Sequence, residues 1–241
     1  IAAETNRIVQ VGLNRRGSSN YQELARKVRS GMLGKVVSAR AARISNMYPD
    51  GIGRMKPAEP PSGFDWDMWL GPRAYRPYQF NIAPYKFRWW SDYSTQMGNW
   101  GVHYLDVIRW LTGETAPVAV SAHGGKYALD DDRTIPDTME VLFEFSSGML
   151  VQFSIHEAAG GSLINDGEIE FRGTKATLVT TDNSYKLSPS PAGQFQERGD
   201  LVEPQNYRRP EKEDITFNLV RNFLDCVKSR TQPWCPLEEG H

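Results

Sequence analysis

Of the four histidines in this 241-residue chain, His103 is the one best placed to do chemistry. It lies in Gly98-Asn-Trp-Gly-Val-His-Tyr-Leu-Asp106, in the first turn of an expected helix just after a long aromatic loop. There an imidazole can reach a ligand and exchange a proton near neutral pH. Asn99, His103, Asp106 and Trp110 stand three or four residues apart, so they share a helix face. The alternative for His103 is structural, a ring hydrogen-bonded to Asp106 or to a backbone group. His123 and His156 read as surface residues of strands.

Other chemistries lack their residues. No Gly-x-Ser-x-Gly elbow supports a serine hydrolase, and no His-Glu-x-x-His supports a zinc protease. Gly51-Ile-Gly53 falls in a proline-rich loop, and Gly31-Met-Leu-Gly34-Lys35 lacks the spacing of a phosphate loop, so neither reads as a nucleotide cradle. Asp130-Asp131-Asp132 reads as a solvated loop run. Cys226 and Cys235 read as free thiols, because two cysteines make neither a disulfide framework nor a zinc site. The sequence leads us to expect no metal. Lys and Arg number 28 against 29 Asp and Glu, a formal net charge of -1, which leaves no footprint for nucleic acid or an anionic membrane. No apolar run approaches the ~18 residues of a membrane helix. A neutral or apolar small molecule suits that balance.

These residues must be held by a frame. Ile8 to Leu13 reads as a short buried strand. Ser18-Ser19-Asn20 offers an N-cap to a helix over about 20–31, with Tyr21, Leu24, Ala25 and Val28 on one stripe. Val36 to Ile44 reads as a strand. Residues 47–93 carry seven prolines among Trp66, Trp69, Trp89, Trp90 and several tyrosines, so they should be irregular. Aromatic loops make good walls for a sugar, whose C–H faces pack on rings, but such tryptophans can equally serve as anchors. A helix over about 99–111 buries Tyr104, Val107, Ile108 and Leu111 and stops at Gly113. Strands follow at 118–122, 139–145, 150–155, 168–171 and 176–180, with turns at Ser146-Ser147-Gly148 and Arg172-Gly173-Thr174. Residues 189–213 read as loop. A last helix spans about 215–228, with Val220, Phe223, Leu224 and Val227 on its stripe.

The pattern indicates an α+β fold, a mostly antiparallel open sheet with helices on one face. Leu142 and Leu150 hint at apolar character on the other face, which leads us to expect a homo-oligomer, a dimer or tetramer formed through the sheet.

Ile8-Val-Gln-Val-Gly12-Leu-Asn-Arg-Arg16 resembles the junction strand of the Gfo/Idh/MocA oxidoreductases, the glucose-fructose oxidoreductase and inositol dehydrogenase family. The likeness continues through Gly31 to Val37, Phe64 to Pro72, Arg88-Trp-Trp-Ser-Asp-Tyr93, the His103 helix and Phe171 to Thr177. It implies that residues 1–13 are the end of a truncated Rossmann domain and 14–241 a substrate-binding and oligomerisation domain, itself truncated at its C-terminal helix. It further implies an NAD(P)-dependent oxidoreductase of CH–OH groups acting on a sugar, sugar derivative or polyol. NAD or NADP would belong to the full-length parent, with none bound by this chain alone. Alternatives are an NAD-dependent glycosidase of the same fold and a non-catalytic sugar-binding fragment. The location would be cytoplasmic, or exported if a leader precedes Ile1.

The family places an Asp four residues before its motif His to help bind and deprotonate the substrate hydroxyl. His103 matches that histidine, but Asn99 stands where the Asp would be, and an amide orients a hydroxyl without accepting its proton. The roles implied are His103 as acid/base, Asn99 as orienter, Arg15 on the substrate and Asn14 on the cofactor side of the junction, with Lys86, Arg88 and Trp89 in the sugar wall.

Overall fold

The computed structural model describes residues 2, 4–195, 202–211 and 213–240. Its strands are β1 (Val36–Ile44), β2 (Pro117–Gly125), β3 (Thr138–Phe145), β4 (Leu150–His156), β5 (Ile169–Gly173), β6 (Ala176–Thr180), β7 (Ser184–Pro189) and β8 (Gln205–Arg208). They form one eight-stranded sheet in the order β2-β3-β4-β1-β5-β6-β7-β8. Every neighbouring pair is antiparallel except β1 and β4, which run parallel from Ser38 opposite Leu150 to Ile44 opposite His156. Parallel neighbours need a long crossover, and the 47–93 region, a helix and two strands supply it.

Two helices cover one face. Helix α1 (Ser19–Arg29) opens where the Ser18 hydroxyl accepts the Tyr21 N–H, and it buries Tyr21, Leu24, Ala25 and Val28. The 47–93 region contains the single-turn α2 (Trp66–Leu70). Helix α3 (Val102–Thr112) buries Tyr104, Val107, Ile108 and Leu111, and ends at Gly113, whose φ of 81° suits glycine. Both pack over Val151, Phe153, Ile155, Ile169, Phe171 and Leu178 of the sheet. The α+β reading of the sequence is the observed fold.

The 47–93 region folds around its own small core of Ile52, Trp66, Leu70, Tyr78, Ile82, Trp89 and Trp90. Underneath lies a buried ion cluster. Arg133, fully buried, donates from Nε to both oxygens of Asp131 and from Nη1 to Glu157 at 2.6 Å. Asp131 also accepts the Ile52 N–H at 2.7 Å. Of the acid run expected to be solvated, Asp131 is thus interior, because Arg133 supplies the charge that its burial requires.

Three elements depart from the sequence reading. Ile8 to Leu13 forms no strand; its tie to the rest of the described backbone is Val11 N–H to Cys235 O at 2.9 Å, and an apolar run needs a neighbouring ladder to become one. Within 189–213, read as loop, Gln205–Arg208 adds β8 at the sheet edge by pairing with β7, despite its polar sequence; residues 196–201 and 212 lie outside the described residues. The closing helix α4 (Ile215–Ser229) rolls so that Leu219 and Cys226 are buried, leaving Val220 and Leu224 about half exposed. The roll follows from its packing on the Asn14–Gly17 turn, where Gly17 has the Ile215 carbonyl in the space a Cβ would need.

The uncovered face of the sheet carries a network of charged and polar groups. Glu140 accepts from Gln152, Ser154 and His156, while Glu170 pairs with Arg40 and Arg172. Exposed Leu142 and Leu150 stand among them.

Candidate functional site

The site is built around the 3₁₀ turn Asn14–Gly17, which aims two arginines into the protein. Arg16 grips Asp106 of α3 with Nε at 3.1 and 3.0 Å and Nη2 at 2.6 Å. Arg15 points the other way, pairs with Glu168 just before β5, and lies 4.6 Å over the Tyr104 ring. Burial raises the pKa of Tyr21 and Tyr104 beside it, so both phenols stay protonated.

His103 is the second residue of α3. The Asp106 carboxylate that could have satisfied it is held by Arg16, and His103 Nδ1 is buried without a hydrogen-bond partner among the described residues. The ring meets Trp100 edge-on at 6.4 Å. Burial, followed by the positive charge of Arg15, holds its pKa below the ordinary 6.5, so it is a neutral base at pH 7.

Asn99 does not belong to a regular α-turn. Residues Met97–Gly101 form a π turn ahead of α3, a feature frequent at functional sites, and a Cβ at Gly101 would have to displace the Met97 sulfur. The Asn99 backbone N–H donates to Thr95 O at 2.8 Å, while its half-buried side chain makes no hydrogen bond among the described residues. Asn14 sits in the turn beside Arg15 and donates to Thr216 Oγ1 at 3.2 Å, on α4.

At the His103 corner, Arg15 lies close enough to the ring to act on its charge; Asn99 stands four residues before His103 in the π turn, and Lys86, Arg88 and Trp89 lie in or against the small aromatic core. Lys86 Nζ donates to Ile52 O at 3.1 Å, Arg88 stacks 3.8 Å over Tyr85, and the Trp89 indole N–H donates to buried Glu157 at 2.9 Å. Of the three, Trp89 is the most buried, at 8% exposure.

Four residues of the corner escaped the sequence reading as site residues: Arg43, Trp100, Tyr104 and Glu168. Between the end of β1, Tyr104 and the 161–168 loop lies a cavity of about 180 Å³, lined in part by Arg43, Ser162 and Glu168. Arg43 carried a legible signal. It shares strand phase with Ala39 and Ala41, so alternation puts its charge on the helix-covered face.

Among the described residues no group of three or more His, Cys, Asp or Glu could hold a metal, and no helix is long and apolar enough to cross a membrane.

Residues 73–179 match the family model of the GFO/IDH/MocA C-terminal domain. No curated protein matches the sequence. Among solved structures, the fold is similar to an oxidoreductase domain protein from Kribbella flavida, with TM-score 0.65, 15% identity, and 99% of this chain covered against 61% of that one. It is likewise similar to aldose-aldose oxidoreductase from Caulobacter crescentus complexed with glycerol, with TM-score 0.62, 16% identity, and coverage of 99% and 59%. Levoglucosan dehydrogenase in complex with NADH gives TM-score 0.64 and 14% identity over 98% of this chain and 60% of that one. The chain therefore spans about three fifths of the length of the structures that it resembles. The chain thus matches the C-terminal domain of the Gfo/Idh/MocA oxidoreductases, over residues 73–179.

Proposed function

We propose that this chain is the substrate-binding half of an NAD(P)-dependent oxidoreductase acting on a CH–OH group of a sugar, sugar derivative or polyol, with His103 as its acid/base. The observation carrying this reading is the neutral, half-buried imidazole whose Nδ1 has no partner of its own among the described residues. A substrate hydroxyl would donate to that nitrogen, and the Asn99 amide, also unengaged, would hold the same hydroxyl in line. Arg15, fixed by Glu168 and Tyr104, keeps a positive charge beside the ring. That charge opposes protonation until a substrate proton arrives and favours the alkoxide that its departure creates.

A nicotinamide, when bound, supplies hydride acceptance. Gly51-Ile-Gly53 does not fit the dinucleotide's phosphates, since it opens no helix and the Asp131 carboxylate fills the space beside Gly51. Asn14 would stand on the cofactor's side of the junction. The names of the sugar enzymes that share the fold support the substrate class, and the NADH complex supports the cofactor class.

The test is His103→Ala with this domain joined to a nucleotide-binding domain. Turnover should fall roughly 10² to 10⁴-fold with little change in KM, as for a group that acts on the proton in flight. A loss below about tenfold would refute the acid/base role. A second reading, a sugar-binding module without catalysis, is favoured by one residue: Asn99 cannot accept a proton where the family resemblance implies an Asp. In that case Asn99→Asp gains no turnover and His103→Ala changes affinity alone.

A further inference from the structure

Arg43 follows Ala39 and Ala41 onto the helix-covered face of the sheet, opposite Ile155, where a guanidinium calls for a carboxylate. Among the described residues it makes no ion pair and no hydrogen bond, its Nε is buried without a partner, and its guanidinium carbon stands 3.8 Å over the Trp100 ring. The acids around it are engaged. Glu168 holds Arg15, and Asp106 holds Arg16. The corner thus sets two guanidinium charges, Arg15 and Arg43, against the single carboxylate of Glu168. One positive charge is left unmatched beside the cavity of about 180 Å³ that Arg43, Tyr104, Ser162 and Glu168 help to line.

We propose that this cavity is a carboxylate subsite, and that the substrate is a sugar acid, a uronate or aldonate, whose carboxylate pairs with Arg43. The inference rests on reading the His103 corner as the substrate site. A planar guanidinium receives a planar carboxylate through two parallel N–H donors. The single negative charge of the ligand cancels the single unmatched positive one. A phosphate dianion fits less well, since its second charge would stand near Glu168 with nothing left to balance it. Trp100 connects the two ends of the ligand: its face carries Arg43 and its ring meets His103. A sugar acid has hydroxyls a few bonds from its carboxylate, so anchoring one end at Arg43 presents the other to the base.

The probes are D-glucuronate, D-glucose and inorganic phosphate, titrated calorimetrically into the 241-residue chain. Glucuronate should bind roughly tenfold or more tightly than glucose, the worth of one charge-assisted pair. Arg43→Met should abolish that preference, with unfolding midpoint and near-ultraviolet dichroism reporting an intact fold. Arg43→Lys, which keeps the charge but not the fork, should lose part of it and serves as the test if Arg43→Met does not fold. Equal binding of glucuronate and glucose, no millimolar binding of glucuronate, a preference surviving in Arg43→Met, or phosphate binding more tightly than glucuronate would each overturn the proposal. No cofactor or turnover enters the measurement. Arg43-dependent glucuronate binding alongside an inconsequential His103→Ala would remove the redox reading alone, and the reverse pattern would remove the carboxylate subsite alone.

Discussion

Two regions of this protein bury charged side chains and balance them differently. Beneath the 47–93 region, Arg133 pairs with both Asp131 and Glu157, so two buried carboxylates share one guanidinium, and Glu157 also receives the Trp89 indole and the Gln96 amide; the Gln96 and Asn81 amide oxygens there have no partner among the described residues. At the corner between α1, α3 and the end of β1, Arg43 Nε, the His103 ring nitrogen and the Tyr21 hydroxyl have no partner among the described residues. The difference separates an anchor from a site. A charge paired in the interior helps to hold a fold together, whereas a buried charge or base without a pair costs stability and is a candidate for completion by a ligand.

Breaking the first region should produce the largest effect. Arg133→Ala leaves Asp131 and Glu157 buried without a counter-charge, and such a change typically costs about 3–5 kcal/mol. It should lower the unfolding midpoint more than any single change at the corner; a shift no greater than that of Arg43→Met would erase the contrast. Trp89→Phe, which removes one donor from Glu157 and keeps most of the ring, should cost about 1–3 kcal/mol and leave sugar binding unchanged. A large drop in sugar affinity with normal stability would instead return Trp89 to the sugar wall.

The corner should respond in charge more than in stability. Followed by NMR, His103 should titrate below 6.5 in the wild type, and Arg15→Met should move it up, because the arginine's charge is removed while burial stays. The sign fixes the pH dependence. A folded pKa below the unfolded one means that the unfolded chain binds more protons in that window, so this residue's contribution is present above 6.5 and lost as pH falls through the depressed value. An unchanged His103 titration in Arg15→Met would disconnect the two residues. The smallest effect expected is at the open face, where Leu142→Glu together with Leu150→Glu should dissociate a sheet-mediated oligomer with little change in the fold, as read by sedimentation. A wild-type chain that sediments as a monomer at high concentration would leave that face without the proposed partner.

Much of the frame could be read directly. Stripes at i, i+3, i+4 and i+7 located α1 and α3 and their buried residues, since a helix with one covered side repeats its apolar positions at that spacing. Alternation located β1, β3 and β4 for the corresponding reason. The same rules misjudged α4, whose roll is set by what Gly17 and Ile215 allow, and β8, whose polar sequence pairs because β7 offers it an edge.

At the site, residue type and helix spacing singled out His103 and Asn99, and the family resemblance added Arg15 and Asn14. What the sequence could not determine was which partner each polar group takes, because that depends on contacts between residues far apart in the chain. Asp106, three residues along the helix from His103, is claimed by Arg16, ninety positions away. The Trp89 indole donates to Glu157, and Glu168 reaches Arg15 across most of the chain. The sequence determined the apolar periodicity and the inventory of acids and bases; tertiary packing alone decided which were neutralised and which, like His103 and Arg43, were left open, because electrostatic pairing follows distance in space and not separation along the chain.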